Sequence, residues 1–274
     1  MYRFMMFPGF RKKAVTFSYD DGHNNDKRLV EILNKYNLKG TFNVCSCFLL
    51  NPSKNNLTLK QAKEVYGDVH EVAVHGQKHL SLSDMSMATA TNEILSDRKA
   101  LEKGFGKIIQ GMAYANGDIT DEYLTVIKAC GIKYARIVPS RRNFDLPTEW
   151  LKLTPTCHHD DPALFDLTED FLNKPDRTYY WSRRQRLFYL WGHASELDYN
   201  DGWEKLEKFC SMVGNRDDVW ACTNIELYDY MKAYQSLEWS VENKFVFNPT
   251  ATTVYIEYLD NLYVIKPGKT IKLK

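Results

Sequence analysis

The chain has 274 residues, and its 36 lysines and arginines nearly balance its 35 aspartates and glutamates, for a formal net charge of +1. Hydrophobic residues make up 44% and charged residues 26% of the chain, which is typical of a globular protein and excludes a disordered one. The balanced charge argues against a nucleic-acid-binding protein, which would carry a strongly basic face, and gives no reason to expect an anionic membrane as partner.

No stretch of the sequence approaches the roughly 18 apolar residues that a membrane-spanning helix requires. Residues 1–13 also lack the continuous apolar segment of a signal peptide, so we expect a cytoplasmic protein. The six cysteines form no CxxC pair, and most of them lie within apolar runs. They are therefore expected to be buried free thiols of a reducing compartment.

Segments typical of strands and of helices alternate through the first 235 residues. β-rich stretches predict strands at 13–19, 40–45, 71–74, 108–114, 133–138, 151–156, 187–191 and 219–222. Apolar residues at helical spacing predict helices between them, and Thr58 to Gln61 forms a capping box that opens one of these helices. This alternation indicates βαβ units with a parallel sheet, and the number of units favours a barrel over an open sheet.

The pattern changes after Gln235. β-branched and aromatic residues alternate from 237 to 274, with turn signals at 248–249, 260–261 and 267–268. We therefore divide the chain into a (β/α) barrel at residues 1–235 and a small C-terminal antiparallel β appendage at residues 236–274. The appendage is too short to be an independent domain and is expected to pack on the barrel.

Functional side chains of a parallel barrel lie at the carboxyl ends of its strands. Asp20 and Asp21 follow the first predicted strand, and adjacent carboxylates are costly unless a cation or a proton separates them. His75 and His79 follow the third strand, at a spacing that lets two rings on one helical turn bind one metal ion. His193 follows the strand predicted at 187–191.

Each of these features alone has an ordinary structural explanation: the aspartates could form a turn, and a histidine could simply be hydrogen-bonded within the fold. Together, however, they are expected to converge on one rim of the barrel. One carboxylate with two histidines makes a three-ligand site for zinc or another divalent transition metal, with a position left open for water. The remaining carboxylate would serve as general base and the remaining histidine as general acid.

These residues resemble the motifs of the polysaccharide deacetylases of carbohydrate esterase family 4, the group that shares homology with nodulation-factor deacetylase. The family's Thr-Phe-Asp-Asp-Gly motif corresponds to Thr16-Phe-Ser-Tyr-Asp-Asp-Gly22, with two intervening residues. Its His-Ser/Thr-x-x-His motif corresponds to His75-Gly-Gln-Lys-His79, and its final apolar-His step to Leu190-Trp-Gly-His193. The resemblance extends from Lys13 to Tyr234.

The resemblance implies a distorted (β/α) barrel of the polysaccharide deacetylase type, with fewer than eight regular strands. It assigns Asp20 as base, Asp21, His75 and His79 as metal ligands, and His193 as acid. The implied reaction is hydrolytic removal of N- or O-linked acetyl groups from an acetylated carbohydrate. Zinc is the expected divalent metal ion, with cobalt, nickel or manganese as alternatives.

The family's third motif, Arg-x-Pro-Tyr-Gly, is not matched, because the corresponding strand end reads Gln110-Gly-Met-Ala-Tyr114-Ala-Asn-Gly117. In the family this arginine orients the base carboxylate, and a backbone amide at this strand end helps to hold the oxyanion. We expect Tyr114 or a neighbour to donate that amide. Arg136 is a candidate substitute for the missing arginine, although a surface or capping role fits it equally well.

The family's fourth motif carries an acid next to a tryptophan. Glu149-Trp150 is the candidate for this place and Asp145 is its rival, but Trp150 is equally compatible with simple packing.

Two further groups are candidate pocket residues. His158, His159 and Asp161 would line the pocket if their strand points to the same rim, although a polar loop is the preferred interpretation. The aromatic residues on or after the strand of His193 suit stacking on a sugar, with packing preferred for the last of them; they are Trp191, Tyr199 and Trp203.

The expected partner is therefore an acetylated oligosaccharide or polysaccharide, with no nucleic acid and no membrane. Two alternatives remain at this point: an amidase of the same fold that acts on a non-sugar C–N bond, and a carbohydrate-binding pseudoenzyme. A glycosidase is disfavoured because its two carboxyl groups must stand ~5 Å or more apart across a sugar ring, whereas Asp20 and Asp21 are adjacent.

Overall fold

Parallel strands curl into a barrel whose carboxyl-terminal rim carries the candidate site. The computed structural model describes residues 3–117, 119–174 and 184–274. The strands in this part of the chain are β1 Arg3–Met6, β2 Lys13–Asp20, β3 Gly40–Val44, β4 Glu71–Val74, β5 Gly111–Ala113, β6 Tyr134–Arg136, β7 Cys157–His158, β8 Arg186–His193, β9 Val219–Ala221, β10 Glu238–Trp239, β11 Phe245–Phe247, β12 Val254–Tyr258, β13 Asn261–Ile265 and β14 Thr270–Lys272.

Helices connect the parallel strands and cover the outside of the sheet. The α-helices of the described residues are α1 Asp26–Lys35, α2 Ser46–Leu50, α3 Leu59–Tyr66, α4 Met87–Phe105, α5 Leu124–Ala129, α6 Leu164–Asn173, α7 Gly202–Val213 and α8 Asn224–Gln235. The predicted capping box is confirmed at the start of α3, where the Thr58 hydroxyl accepts the Gln61 N–H at 3.2 Å and the Gln61 carbonyl oxygen accepts the Thr58 N–H at 2.9 Å.

The parallel sheet has the strand order β6-β5-β4-β3-β2-β8-β7, and β9 pairs with the beginning of β2. Side chains of β2 alternate between two buried environments, as the period of a strand requires. Val15, Phe17 and Tyr19 pack in the apolar core shared with the helices. Thr16 points to the opposite side, where its hydroxyl donates to Asn224 at 2.8 Å. Asp20 ends β2 on this polar inner side, which explains its burial.

The segment between β6 and β8 closes the barrel. Leu153 hydrogen-bonds to β6 through the Ala135 carbonyl at 2.8 Å, and the Thr156 N–H reaches the Tyr189 carbonyl of β8 at 2.9 Å. The strand predicted at 151–156 is wrong, since residues 150–152 form a 3₁₀ turn and β7 begins at Cys157. Pro155 lacks the N–H that a continuous ladder would require, so this segment does not form a regular strand. The other seven predicted barrel strands are confirmed, with no end displaced by more than three residues.

The C-terminal region forms two small antiparallel sheets, with the orders β1-β12-β13 and β10-β11-β14. β1 pairs with β12 from Arg3↔Tyr258 onward, so residues 3–6 belong to this layer although they lie at the other end of the chain. The division at residues 235 and 236 otherwise stays a prediction. The layer contacts α8 through the Tyr230 hydroxyl, which donates to the Met6 carbonyl and accepts the Tyr255 N–H at 3.1 Å.

The six cysteines are all free; five are buried, and Cys47 is partly exposed. Among the described residues, none of the helices combines the length and the apolar composition needed to cross a bilayer.

Candidate metal centre and active site

The predicted site residues meet at the carboxyl-terminal rim of the barrel. Asp20 is the last residue of β2 and lies directly opposite His193, the last residue of the neighbouring β8. On the other side Asp20 lies opposite Asn43 of β3. His75 follows β4, and Arg136 ends β6. The register of a parallel sheet therefore brings together residues that are far apart in sequence.

Asp21, His75 and His79 form the predicted three-ligand cluster, with their candidate ligand atoms all within 4.8 Å of one another. Oδ1 of Asp21 lies 3.6 Å from Nε2 of His75 and 3.5 Å from Nε2 of His79. The rings of the two histidines stand edge to face, with centroids 4.9 Å apart. One carboxylate oxygen thus faces two imidazole nitrogens around a common point.

The chemistry of this donor set fits a divalent transition metal ion. Oδ1 of Asp21 is buried and has no hydrogen-bond partner among the described residues, which is costly for a carboxylate oxygen unless a cation faces it. Nδ1 of His75 lies 2.9 Å from the Ala113 carbonyl, to which only a protonated Nδ1 can donate. The lone pair is therefore on Nε2, the atom that faces Asp21. Burial lowers the pKa of His75, which keeps its ring neutral.

The backbone around these ligands differs from the prediction in one respect. His75 and His79 lie on a loop and not on a helical turn. Gly76 and His79 adopt positive φ values of 85° and 58°, which turn the chain so that both rings face Asp21. Asp21 itself has a φ of 78°, which directs its side chain away from that of Asp20.

Asp20 is held by two polar side chains on the inner side of the barrel. Arg136 is fully buried, and its Nη2 forms an ion pair with Oδ2 of Asp20. Nδ2 of Asn43 donates to Oδ1 of Asp20 at 2.8 Å. Burial works against the ionised form of this carboxyl group, but Arg136, His75 and His193 together outweigh it and lower the pKa of Asp20, with Arg136 making the largest contribution of the three. Asp20 is therefore ionised at neutral pH.

The ion pair shows where Arg136 lies, as a buried partner of Asp20 and not as a surface or capping arginine. The guanidinium carbon also stands 4.5 Å from the centre of the Trp191 ring, so Trp191 covers this pair from one side. Nε1 of Trp191 donates to the Ser140 hydroxyl at 3.3 Å. Trp191 is consequently part of the wall that buries Arg136.

His193 has a carboxylate partner that the sequence reading missed. Nε2 of His193 lies 3.9 Å from Oδ2 of Asp20, and its Nδ1 lies 3.1 Å from Oε1 of Glu196. Burial disfavours the charged imidazole, but the contact with Glu196 and the charge of Asp20 outweigh it and raise the pKa of His193 to about 9. His193 is thus protonated at neutral pH. The one available signal was the acidic residue three positions after His193, which also accepts the His193 N–H at 3.1 Å.

His158 lies at the same rim, on the far side of Glu196. Its Nδ1 accepts the Asp160 N–H at 3.2 Å, so the proton is on Nε2, which donates to Oε2 of Glu196 at 3.0 Å. His158, His159 and Glu196 are close enough to hold a metal ion. However, the proton on Nε2 of His158 disfavours that role and makes His158 a support for Glu196.

His159 packs behind this carboxylate. It is 2% exposed, and its ring stacks on Tyr19 with centroids 5.7 Å apart. Neither of its ring nitrogens has a hydrogen-bond partner among the described residues. Burial, followed by the neighbouring His158, lowers the pKa of His159 to about 3, so the ring is neutral. The third residue of this group, Asp161, instead forms an ion pair with Arg142 at 2.9 Å.

The structure corrects the expectation for Tyr114. Its backbone N–H donates to the Arg136 carbonyl at 3.1 Å, and its hydroxyl donates to the Leu151 carbonyl at 2.8 Å. Both donors are therefore engaged inside the barrel wall, and neither is free to hold an oxyanion.

The candidates for the fourth motif lie away from the ligand cluster. Trp150 packs edge-on against Tyr228 of α8, with ring centroids 4.8 Å apart, and belongs to the same apolar cluster as Leu227 and Tyr230. Packing is therefore the observed role of Trp150, and the carboxylate beside His193 comes from Glu196 and not from Glu149 or Asp145. Trp203 is also buried, with its Nε1 donating to Asp198 at 2.8 Å, whereas Tyr199 is 70% exposed.

Comparison with known proteins relates this chain to one family. A family model described as polysaccharide deacetylase matches residues 8–135. The match contains Asp20, Asp21, His75 and His79, whereas Arg136 and His193 lie beyond it. A poly-beta-1,6-N-acetyl-D-glucosamine N-deacetylase of Staphylococcus aureus is 28% identical over 160 residues, which are 50% of this chain and 54% of the relative. The chain thus spans about half the length of the curated relatives it matches.

Solved structures share the fold. A Mycobacterium smegmatis protein of the polysaccharide deacetylase type has a TM-score of 0.58 at 17% identity, covering 84% of this chain and 93% of that one. The peptidoglycan deacetylase PdaC from Bacillus subtilis has a TM-score of 0.53 at 16% identity, covering 82% and 94%. The barrel, the ordered motifs at its rim and the family match lead to one conclusion: residues 8–135 of this chain match the polysaccharide deacetylase family, and the fold around them is the one that deacetylase structures share.

Proposed function

We propose that this chain is a metal-dependent hydrolase that removes acetyl groups, N- or O-linked, from an acetylated carbohydrate. The observation that carries the proposal is the position of Asp20. Its Oδ2 contacts Arg136 and lies 3.9 Å from Nε2 of both His75 and His193. An ionised base thus stands between a ligand cluster and a protonated acid, which is the arrangement that acyl hydrolysis by a bound water requires.

Asp21, His75 and His79 would hold the divalent ion, and two imidazoles with one carboxylate favour zinc, with cobalt, nickel or manganese as alternatives. When bound, such an ion polarises a carbonyl and lowers the pKa of a water towards ~7. The three residues leave one side of the cluster open, since His79 and Asp21 are only partly buried. The acetyl group would approach from that side.

Asp20 would take the proton of the attacking water. Arg136 keeps this carboxylate ionised, and Asn43 fixes its rotation by donating to Oδ1. Oδ2 remains on the side of the ligand cluster, where the water has to be. General base catalysis of this kind typically contributes 10²–10⁴-fold to the rate, about 3–5 kcal/mol of the barrier.

His193 would give the proton of its Nε2 to the leaving amine or alkoxide. Glu196 faces Nδ1 of the same ring, so Nε2 is the nitrogen that points towards Asp20 and the reacting group. With the Tyr114 amide engaged, we propose that its neighbour Ala115 donates the backbone N–H that stabilises the tetrahedral oxyanion.

The missing arginine of the third motif was the support for a pseudoenzyme, and together with the expected cytoplasmic location it was the support for a non-sugar amidase. Arg136 supplies a guanidinium at the proposed base carboxylate from the next strand, which weakens the argument from the missing arginine. The Staphylococcus aureus relative is named for deacetylation of a β-1,6-linked N-acetylglucosamine polymer, and that polymer therefore belongs among the first substrates to test.

The test is acetate release after loading with zinc, cobalt or nickel. The panel contains oligomers of β-1,6- and β-1,4-linked N-acetylglucosamine, acetylated xylo-oligosaccharides and peptidoglycan fragments. Metal-dependent release is expected from at least one of them, and Asp20→Asn should abolish it. Absence of release on the whole panel by a metal-loaded, folded chain would overturn the proposal. Hydrolysis of cyclic ureides or imides under the same conditions would then favour the amidase.

A further inference from the structure

The loop that carries His75 and His79 is anchored by a helix outside the barrel. Oδ2 of Asp97, on α4, accepts the backbone N–H of His75 at 3.1 Å. Oδ1 of the same carboxylate accepts the backbone N–H of Ser46, the first residue of α2, at 2.6 Å. Asp97 is fully buried. Through these two hydrogen bonds its carboxylate links the start of the ligand loop to α2 and to α4.

Glu93 makes the corresponding contact near the end of the loop. It precedes Asp97 by one helical turn and is 5% exposed. Its Oε1 accepts the backbone N–H of Lys78 at 2.5 Å. A Cβ atom on Gly76 would lie 3.5 Å from the same oxygen, so the Glu93 carboxylate packs against the backbone turn at Gly76.

The loop needs such anchors because it has no regular secondary structure of its own. Gly76 adopts its positive φ without strain, but the positive φ of His79 is unfavourable for a residue with a side chain. Buried carboxylates are themselves costly unless they accept hydrogen bonds, and here they accept them from the ligand loop and from α2. Charge-assisted hydrogen bonds to backbone N–H groups are about twice as strong as neutral ones.

We propose that Glu93 and Asp97 are positioning residues of the metal centre, which hold residues 75–79 so that both imidazoles meet Oδ1 of Asp21. This inference rests on the proposed metal-dependent function. It extends that function from the three ligands to a second layer of residues, whose loss in metal sites typically weakens binding 10–100-fold.

The experiment compares zinc affinity in Asp97→Asn and Glu93→Gln with that of the parent chain, by competition with a chromophoric chelator. Both variants keep the shape of the side chain. Asp97→Asn leaves one acceptor oxygen for two backbone N–H groups, and Glu93→Gln keeps an acceptor for the Lys78 N–H but removes the negative charge that strengthens this bond. Zinc binding is expected to weaken by 10–100-fold in each. The visible spectrum of the cobalt-loaded variants should change as well, because the ligand geometry is altered.

Glu102→Gln is the matched control on the same helix. Glu102 also accepts a backbone N–H, from Ile109 at 3.1 Å, but holds no part of the ligand loop. The substitution Glu102→Gln should lower the melting temperature of the chain and leave its zinc affinity unchanged.

Parent-like affinity in both folded variants would overturn the inference, as would an equal loss in Glu102→Gln. If Asp97→Asn does not fold, Glu93→Gln decides the matter alone. A parent chain that binds no zinc, cobalt or nickel would instead overturn the proposed metal-dependent function, and this inference with it.

Discussion

Arg136 and Asp20 form a buried ion pair although they lie 116 residues apart in the sequence. The arginine reaches the carboxylate from the end of β6, whereas the family motif that this chain lacks would have supplied it from the end of β5. The same charge is thus delivered to the same carboxylate from a neighbouring strand. Asp20, the proposed base, therefore keeps an arginine partner although the third motif is altered.

Replacement of Arg136 by methionine should impair catalysis by moving the pKa of Asp20. Without the guanidinium, burial dominates and the pKa rises, so a smaller fraction of Asp20 is ionised at a given acidic pH. The acidic limb of the kcat/KM profile should therefore move to higher pH, and kcat should fall by roughly 10²-fold or more.

The control for this variant is Arg142→Met, which removes an arginine of similar type that is half exposed and pairs with Asp161. Loss of the buried pair also costs about 3–5 kcal/mol of stability, so the profile is measured below the melting temperature of each variant. An acidic limb that stays in place in folded Arg136→Met would contradict the role given to Arg136.

The alkaline limb of the same profile should report His193. The general acid is active while protonated, and its pKa is raised to about 9, so activity should persist through neutral pH and fall as the pH rises through about 9. Glu196→Gln removes the anion beside Nδ1, which lowers that pKa and should move the alkaline limb to lower pH. An alkaline limb unchanged in Glu196→Gln would show that Glu196 does not act on His193.

Gly192 should tolerate no side chain. A Cβ atom there would lie 2.0 Å from Nδ1 of the buried His159, which is far inside contact distance. Gly192→Ala is expected to cost about 1–3 kcal/mol in urea unfolding and to reduce kcat, because the displaced residue precedes His193. In Gly192→Ala/His159→Ala the clash is gone, so the double variant should be more stable than the sum of the two single effects. Simple additivity would mean that the two residues do not collide.

Metal binding should stabilise the folded chain. Zinc at 100 times its dissociation constant is expected to add about 2.7 kcal/mol to the free energy of unfolding, because the ligands converge only in the folded state. His79→Gln should lose this increment while keeping the stability of the metal-free parent, since His79 is partly exposed. Thermal melts with and without zinc measure both effects, with magnesium as the control ion. An equal zinc-dependent shift in His79→Gln would place the ion elsewhere.

Much of the fold and the centre of the site could be predicted from the sequence, because both depend on local patterns. Strand periodicity located β2, β4 and β8, and each is followed by the residues that the motifs single out. The rule that parallel strands end at one rim was enough to bring Asp20, Asp21, His75 and His79 together, whereas the choice of Asp21 as the proposed ligand came from the family resemblance.

The partners of these residues could not be predicted in the same way. Whether Arg136 pairs with Asp20 depends on the curvature of the sheet, which no local pattern encodes. Glu93 and Asp97 look like ordinary acidic positions of a polar helix, and their role appears only when α4 packs beside the ligand loop. That the Tyr114 amide is engaged, which leaves its neighbour as the proposed donor, could not be predicted because its hydrogen bond to β6 is a long-range pairing.

The most direct test of the account separates the two adjacent aspartates. Asp20→Asn and Asp21→Asn are each measured for zinc binding and for acetate release from an acetylated sugar that the parent chain hydrolyses. We expect Asp20→Asn to bind zinc nearly as well as the parent chain but to release almost no acetate, and Asp21→Asn to lose both. Full activity in Asp20→Asn, or parent-like zinc affinity in Asp21→Asn, would contradict the division of roles between base and metal ligand.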